Sequence, residues 1–338
     1  MTDPAALALA PARRGLAPAL LALLLVAAAA SLLVGPAALS PGAVLQALTG
    51  QGDAIAQAIV VQIRLPRLLL SLAVGAMLAS AGAALQGYLR NPLAEPSVLG
   101  ASGGAALGAV IALYFGLAAA FPLALPAMGV AGALLALLLV LALARWSENP
   151  LALILAGIAV GAGAGAAISL ALNMSPNPFA AMEISFWLLG SLEDRSFQHV
   201  WLALPLIAAG LVLLAWDARA LDAMALGEDS ARSLGFDLGR VRLRLVAGVA
   251  LGVGGAVAVS GAIGFLGLVV PHLLRPLAGF QPSRLILPSA LAGAALLTAA
   301  DVAVRLIPAT NELKLGVVTA LLGVPVFIYV VLQSRRIW

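Results

Sequence analysis

Cysteine is absent from the 338 residues, lysine occurs once, as Lys314, and histidine twice, as His199 and His272. Without cysteine there is no disulfide framework, no thiolate metal site and no cysteine nucleophile. Lys314 follows Leu313, so the Gly-x-x-x-x-Gly-Lys-Ser/Thr loop that cradles nucleotide phosphates has no lysine to build on. The two histidines are far apart in sequence and supply neither His-Glu-x-x-His nor a paired-histidine ligand set. We therefore expect no cofactor, no bound metal and no catalytic residue. Charge is scarce too: 9% of residues are Asp, Glu, Lys or Arg, against about 25% in a soluble globular chain.

Hydrophobic residues make up 63% of the chain, and the mean hydropathy is +1.11. A soluble protein could not keep so much apolar surface from water, so lipid is the solvent that fits. A membrane-spanning helix takes roughly 20 apolar residues, and this length accommodates about ten of them. A transmembrane β-barrel would show short alternating segments; here the apolar runs are unbroken and rich in Ala, Leu and Gly. The expectation is an all-α polytopic membrane protein forming one transmembrane domain over 1–338. Spans are placed near 16–35, 66–87, 98–118, 124–144, 151–172, 200–215, 245–262, 264–276, 285–304 and 315–332. The eighth is too short to cross alone. It needs irregular backbone beside it, which is tolerated at membrane depth only where protein or a water-filled cavity covers it.

A net charge of +4 and a pI near 10.3 could suggest nucleic acid. The arginines instead sit singly or in pairs at the ends of apolar runs, as positive charge does in cytoplasmic loops. With both termini in the cytoplasm, thirteen of the eighteen basic residues fall inside. Five fall outside: Arg64, Arg67, Arg195, Arg305 and Lys314. Arg13 and Arg14 precede an apolar run from Leu16 to Val34, longer than the core of a typical signal peptide, so an uncleaved first helix is expected.

Two connecting segments are long. Residues 36–63 are expected outside, with a short surface helix around Pro41–Leu48. Residues 216–244 are expected inside, and the run from Leu226 to Gly235 reads as a short amphipathic helix between glycines, with a solvated loop as the alternative. Gly100, Gly104 and Gly108, and again Gly157, Gly161 and Gly165, recur every fourth residue, a spacing that lets helix backbones approach closely in lipid. An internal repeat at an offset of 179 would pair Gly75, Gly82, Pro92 and Gly100 with Gly254, Gly261, Pro271 and Gly279. The spans carry no chain of carboxylates or histidines of the kind an ion-coupled carrier uses as a relay. Asp301 and Glu183 come nearest, both close to span ends.

Several motifs in fixed order resemble the FecCD-type permease family, the importers of siderophores, haem and cobalamin. They are Arg64-Leu65-Pro66-Arg67; Val74-Gly75-Ala76 with Gly82 and Gln86; and Arg90-Asn91-Pro92-Leu93-Ala94-Glu95-Pro96 with Leu99-Gly100. The second half adds Leu226-Gly227-Glu228 with Ala231 and Leu234-Gly235, then Ser260-Gly261 and Gly264 to His272. Ala300-Asp301, Glu312-Leu313, Gly316 to Ala320, Gly323 and Pro325 complete the set. The resemblance covers roughly 60–335 and implies an ABC importer permease of type II architecture. Such a permease works in the bacterial inner membrane as a homodimer, with two copies of a separate ATP-binding cassette ATPase and a periplasmic substrate-binding protein. It also implies roles for individual residues. Arg64, Arg67 and Arg305 would dock the binding protein, against the plainer readings of headgroup binding, snorkelling, or pairing with Asp53, Glu193, Asp194 or Asp301. Leu226, Gly227, Glu228, Ala231, Arg232, Leu234 and Gly235 would contact the ATPase, with Leu226, Ala231 and Leu234 filling a cleft. Asn91 and Leu93 would form a cytoplasmic gate, against the reading of an ordinary turn. Two departures stand out. Lys314 occupies a position where the family commonly has proline, and Glu148-Asn149-Pro150-Leu151 does not match the family's second gate segment. An ion-coupled secondary transporter and an integral membrane enzyme are the competing classes.

Overall fold

The computed structural model describes residues 15–121, 123–144, 150–175, 177–279, 281–307 and 312–334. Arg13, Arg14, Arg145, Glu148, Asn149, Arg335 and Arg336 lie outside the described residues. Every regular element among those described is helical. In order, those of six residues or more are α1 (Leu16–Leu33), α2 (Pro41–Leu48), α3 (Ala54–Tyr88), α4 (Ala101–Tyr114), α5 (Ala124–Ala144), α6 (Pro150–Asn173) and α7 (Pro178–Leu188). They continue as α8 (Phe197–Trp216), α9 (Ala218–Ala225), α10 (Glu228–Ser233), α11 (Leu238–Ser260), α12 (Leu266–Ala278), α13 (Pro282–Leu306) and α14 (Leu315–Ser334). Seven of the described helices are long and apolar enough to span a membrane, and α4, α12 and part of α14 are shorter apolar helices. Each of the ten expected spans has its helix.

The two long connections are more structured than loops. Ser40 caps α2 by accepting from Ala43 N at 3.2 Å, with Pro41 at the first helical position, where its missing N–H costs nothing. Asp53 caps the start of α3, accepting from Ala56 N at 3.3 Å, and among the described residues it pairs with no arginine. α3 runs 35 residues because a π-helical stretch, Ala58–Arg64, joins its first turn to the span. Two of these helices escaped the sequence reading: α7, too short to read as a span, and α9, which precedes α10 in the long 216–244 connection.

α3, α11 and α13 form the centre of the bundle; 78% of the apolar stretch of α3 is buried against 17% of that of α1. α3 and α13 cross at Gly75 and Gly293, and a Cβ on either would run into the other's carbonyl. Gly82 meets the Gly267 carbonyl of α12 in the same way. Gly104 and Gly108 press on α5, and Gly100 and Gly157 bring α4 and α6 together, so packing accounts for most of the glycine spacing. Gly165 faces open space. The offset of 179 is not a structural repeat in that register: Gly82 lies inside α3 while Gly261 follows the end of α11, and Pro92 lies in a turn while Pro271 lies inside α12.

Candidate functional site

Three groups of side chains, one at one end of the bundle and two at the other, are positioned by this fold. The first surrounds a cavity of about 590 Å³ lined by Arg64, Arg67, Arg195, Arg305, Glu193, Asp194 and Glu312 among others. Arg64 and Arg305 serve α1. The last carbonyls of a helix have no intrahelical partner and carry the negative end of its dipole. Arg64 donates to the carbonyls of Leu32 at 2.7 Å and Leu33 at 3.1 Å, while Arg305 donates to those of Ser31 at 2.9 Å and Val34 at 3.0 Å. Arg67 bridges two carboxylates: Nε donates to Asp301 Oδ1 at 2.9 Å, and the Nη groups reach Glu312. Asp301 also pairs with Arg305 at 3.1 Å. The three arginines expected at the docking surface therefore converge on one cavity, but their donors are largely committed inside the fold. Arg64 is only 4% exposed. A carboxylate at position 64 or 305 would face backbone carbonyls, so charge reversal there tests folding before it tests docking. Asp301, fully buried and held by two guanidinium groups, is not a free proton relay; Glu183 is exposed.

At the other end of the bundle, α9 and α10 form a hairpin. α9 buries Leu221 and Met224 against α3 and α13. Asp217, at its start, holds Arg244 of α11 with both oxygens, at 2.6 and 2.7 Å. Gly227 and Gly235 bracket α10 with positive φ of 112° and 87°, a conformation glycine adopts at little cost. Leu226 and Leu234 are 74% and 64% exposed, a combination that a solvated loop gives no reason to keep apolar. Glu228 and Arg232 pair across one turn at 3.6 Å. Ala231 corrects the sequence reading: it is fully buried, because the helical turn that points Leu226 and Leu234 outward points residue 231 back at the bundle.

At the same end as the hairpin, where Gly87 of α3 meets Leu221 and Pro282, the loop after α3 carries Asn91 and Leu93. Asn91 Oδ1 accepts from Leu93 N at 2.9 Å, closing an Asx turn, and Leu93 is exposed. The loop is anchored by residues to which the sequence reading gave no role. Buried Gln86 donates to the carbonyls of Ala94, Gly267 and Leu268, and its oxygen accepts from Arg275 Nη2 at 2.9 Å. Glu95 accepts from Phe265 N at 2.9 Å, capping α12 from another segment. These bonds stabilise the irregular backbone 261–265 that the short span needs: Phe265 has φ of 67°, and Ser191 N donates to Ser260 O at 2.7 Å.

Gly100-Ala101-Ser102-Gly103-Gly104 has the spelling of a hydrolase nucleophile elbow. That elbow is a strand-to-helix turn, and here the run opens α4 inside a helical bundle with no strand among the described residues. No group of acidic or histidine side chains among the described residues could hold a metal ion.

The FecCD transport family model matches residues 23–333. The chain is 44% identical over 308 residues to the vitamin B12 import system permease protein BtuC of Vibrio cholerae serotype O1, covering 90% of this chain and 89% of that one. The corresponding protein of Salmonella typhimurium is 42% identical over 315 residues, covering 93% and 94%. A solved inward-facing conformation of an ABC transporter described as metal-chelate type superposes with a TM-score of 0.82 at 31% identity, covering 93% of this chain and 98% of that one. The match to the family model over nearly the whole length, on an all-helical bundle of this architecture, establishes that the chain belongs to the FecCD transport family.

Proposed function

We propose that this chain is the permease subunit of an ATP-driven importer that carries cobalamin or an iron chelate across the bacterial inner membrane into the cytoplasm. The observation that carries the proposal is the 42–44% identity to vitamin B12 import permeases over about nine-tenths of the chain. Cobalamin is therefore the first substrate to test. The chain lacks a nucleotide-binding loop, so ATP hydrolysis belongs to a separate ATPase, present as two copies. The exposed leucines of the α9–α10 hairpin suit a cleft on that subunit, with Glu228 and Arg232 at its rim. A second permease copy completes the pathway; the open face of α6 at Gly163 and Gly165 gives it a surface for close approach. Leu93 and Asn91 would gate the cytoplasmic mouth, and both termini would be cytoplasmic. The arginine-lined cavity then lies on the periplasmic side, where a soluble binding protein would present carboxylates.

Uptake of labelled cyanocobalamin by proteoliposomes tests this directly. The vesicles contain the permease and its ATPase, with ATP inside or outside according to orientation and the binding protein opposite. ATP-dependent accumulation supports the proposal. Accumulation of a ferric siderophore but not of cyanocobalamin would move the substrate to the iron chelates. Uptake driven by an ion gradient without ATP would replace it with secondary transport.

A further inference from the structure

Arg195 is the arginine of the outer cavity that donates no hydrogen bond among the described residues. It follows Asp194, which has a positive φ of 56°, and lines the same cavity as Arg64, Arg67 and Arg305. Those three have protein acceptors. Arg195 Nε is buried without a hydrogen-bond partner among the described residues. A buried donor left unmade is costly, and in a native fold it calls for an explanation. Burial pushes this guanidinium down from its usual pKa, with Asp194 and Glu193 acting in the opposite direction. Glu193, two residues away, would be the obvious acceptor. Its carboxylate is taken by Lys314, whose Nζ lies 2.9 Å from Oε2 and 5.9 Å from the Phe186 ring centroid. Lys314 is the sole lysine of the chain.

We propose that Arg195 is the guanidinium that receives an acidic side chain of the soluble binding protein, and that Lys314 keeps it available by holding Glu193. This rests on the importer reading above and adds a residue and a device to it. The cavity supplies room for an incoming carboxylate, and the arginine fork suits bidentate capture of one. Without Lys314, Glu193 is released to neutralise Arg195 from within. The cation at 314 thus acts through another residue, as a positioning group.

The test uses the full transporter in phosphatidylcholine nanodiscs, with binding of the binding protein measured as association and dissociation rates. Wild-type binding that weakens with salt establishes the docking step; its absence would overturn the importer reading and this inference together. Given wild-type binding, Arg195→Gln is expected to weaken it roughly tenfold, the scale of one charge-assisted hydrogen bond. Lys314→Met is expected to weaken it by a similar factor, and Lys314→Met with Glu193→Gln to restore it. A purely structural role for Lys314 predicts no such rescue. Unchanged binding in Arg195→Gln overturns the inference while leaving the importer reading intact. Failure of Glu193→Gln to rescue overturns the part given to Lys314. If Arg195→Gln leaves docking unchanged and abolishes only a response to added phosphatidylglycerol, the guanidinium serves a lipid phosphate and the inference is wrong.

Discussion

Asp222 of α9 caps α13 with both its carboxylate oxygens: Oδ1 accepts from Ser283 N at 2.8 Å and Oδ2 from Ser283 Oγ at 2.5 Å. The cap is supplied from a different helix, which ties the α9–α10 hairpin to one end of α13. The other end of α13, about 37 Å away for 25 residues, holds Asp301 and Arg305 at the outer cavity. One rigid helix thus connects the two surfaces at which partners are proposed to act.

Replacing Asp222 by alanine should cost about 1–2 kcal/mol, the scale of a lost helix cap, and should fray the start of α13. Hydrogen exchange at residues 283–286 should accelerate while the outer end of α13 stays protected. In the assembled transporter, stimulation of ATP hydrolysis by the binding protein should fall further than basal hydrolysis. Equal loss of both would mean that the cap only stabilises the fold.

The Arg67–Asp301–Glu312 arrangement predicts an asymmetric response to mutation. Arg67→Met leaves Asp301 buried with one guanidinium partner instead of two, and breaking a buried pair by removing one partner costs about 3–5 kcal/mol. Thermal unfolding in detergent should therefore fall sharply. Adding Asp301→Asn removes the excess buried charge and should recover part of that loss. No recovery in the double variant would show that Arg67 acts through something other than Asp301.

The spans were legible in the sequence because lipid leaves the backbone no solvent partner and forces unbroken apolar helices. α2 was legible for a local reason, Ser40 followed by Pro41. The irregular segment beside α12 followed from length alone. Pairing with Asp301 was one reading the sequence offered for Arg64, Arg67 and Arg305, but it could not choose among the partners. Asp301 lies 234 positions from Arg67, and nothing local distinguishes an arginine that caps α1 from one that faces solvent. Positive charge at Arg64, Arg67 and Arg305 stood out against the expected orientation, but its main use, satisfying the end of α1 and the buried Asp301, required the fold. Ala231 was misplaced for a similar reason: within six residues of helix, which apolar residue turns inward depends on what α10 packs against.

Close backbone contact between α3 and α12 makes Gly82 the least replaceable of the glycines discussed. A Cβ there would overlap the Gly267 carbonyl, which is backbone and cannot swing aside. Gly82→Ala should therefore lower the yield of folded protein and shift its thermal transition down. Gly165→Ala, which meets open space within one chain, should leave the isolated chain's stability unchanged. If it disrupts assembly of the transporter, the open face of α6 lies against the second copy.

The exposed leucines of the hairpin give the most direct prediction about the motor. Leu226 and Leu234 lie just outside the two ends of α10, and both are exposed, so a partner's cleft would take two apolar side chains out of water at once. Burying two such side chains on association contributes about 3–6 kcal/mol before the entropic cost of binding. Leu234→Asp places a charge where the partner's cleft must be dry, and should prevent stable association with the ATPase in pull-down and abolish ATP-dependent uptake. The fold of the permease should be unaffected, because residue 234 makes little contact with the bundle. Ala231→Asp is the opposing control: its carboxylate would be buried beneath α10, so it should destabilise the permease itself. Normal ATPase association and transport in Leu234→Asp would remove the hairpin from the coupling path and return it to the status of a structured loop.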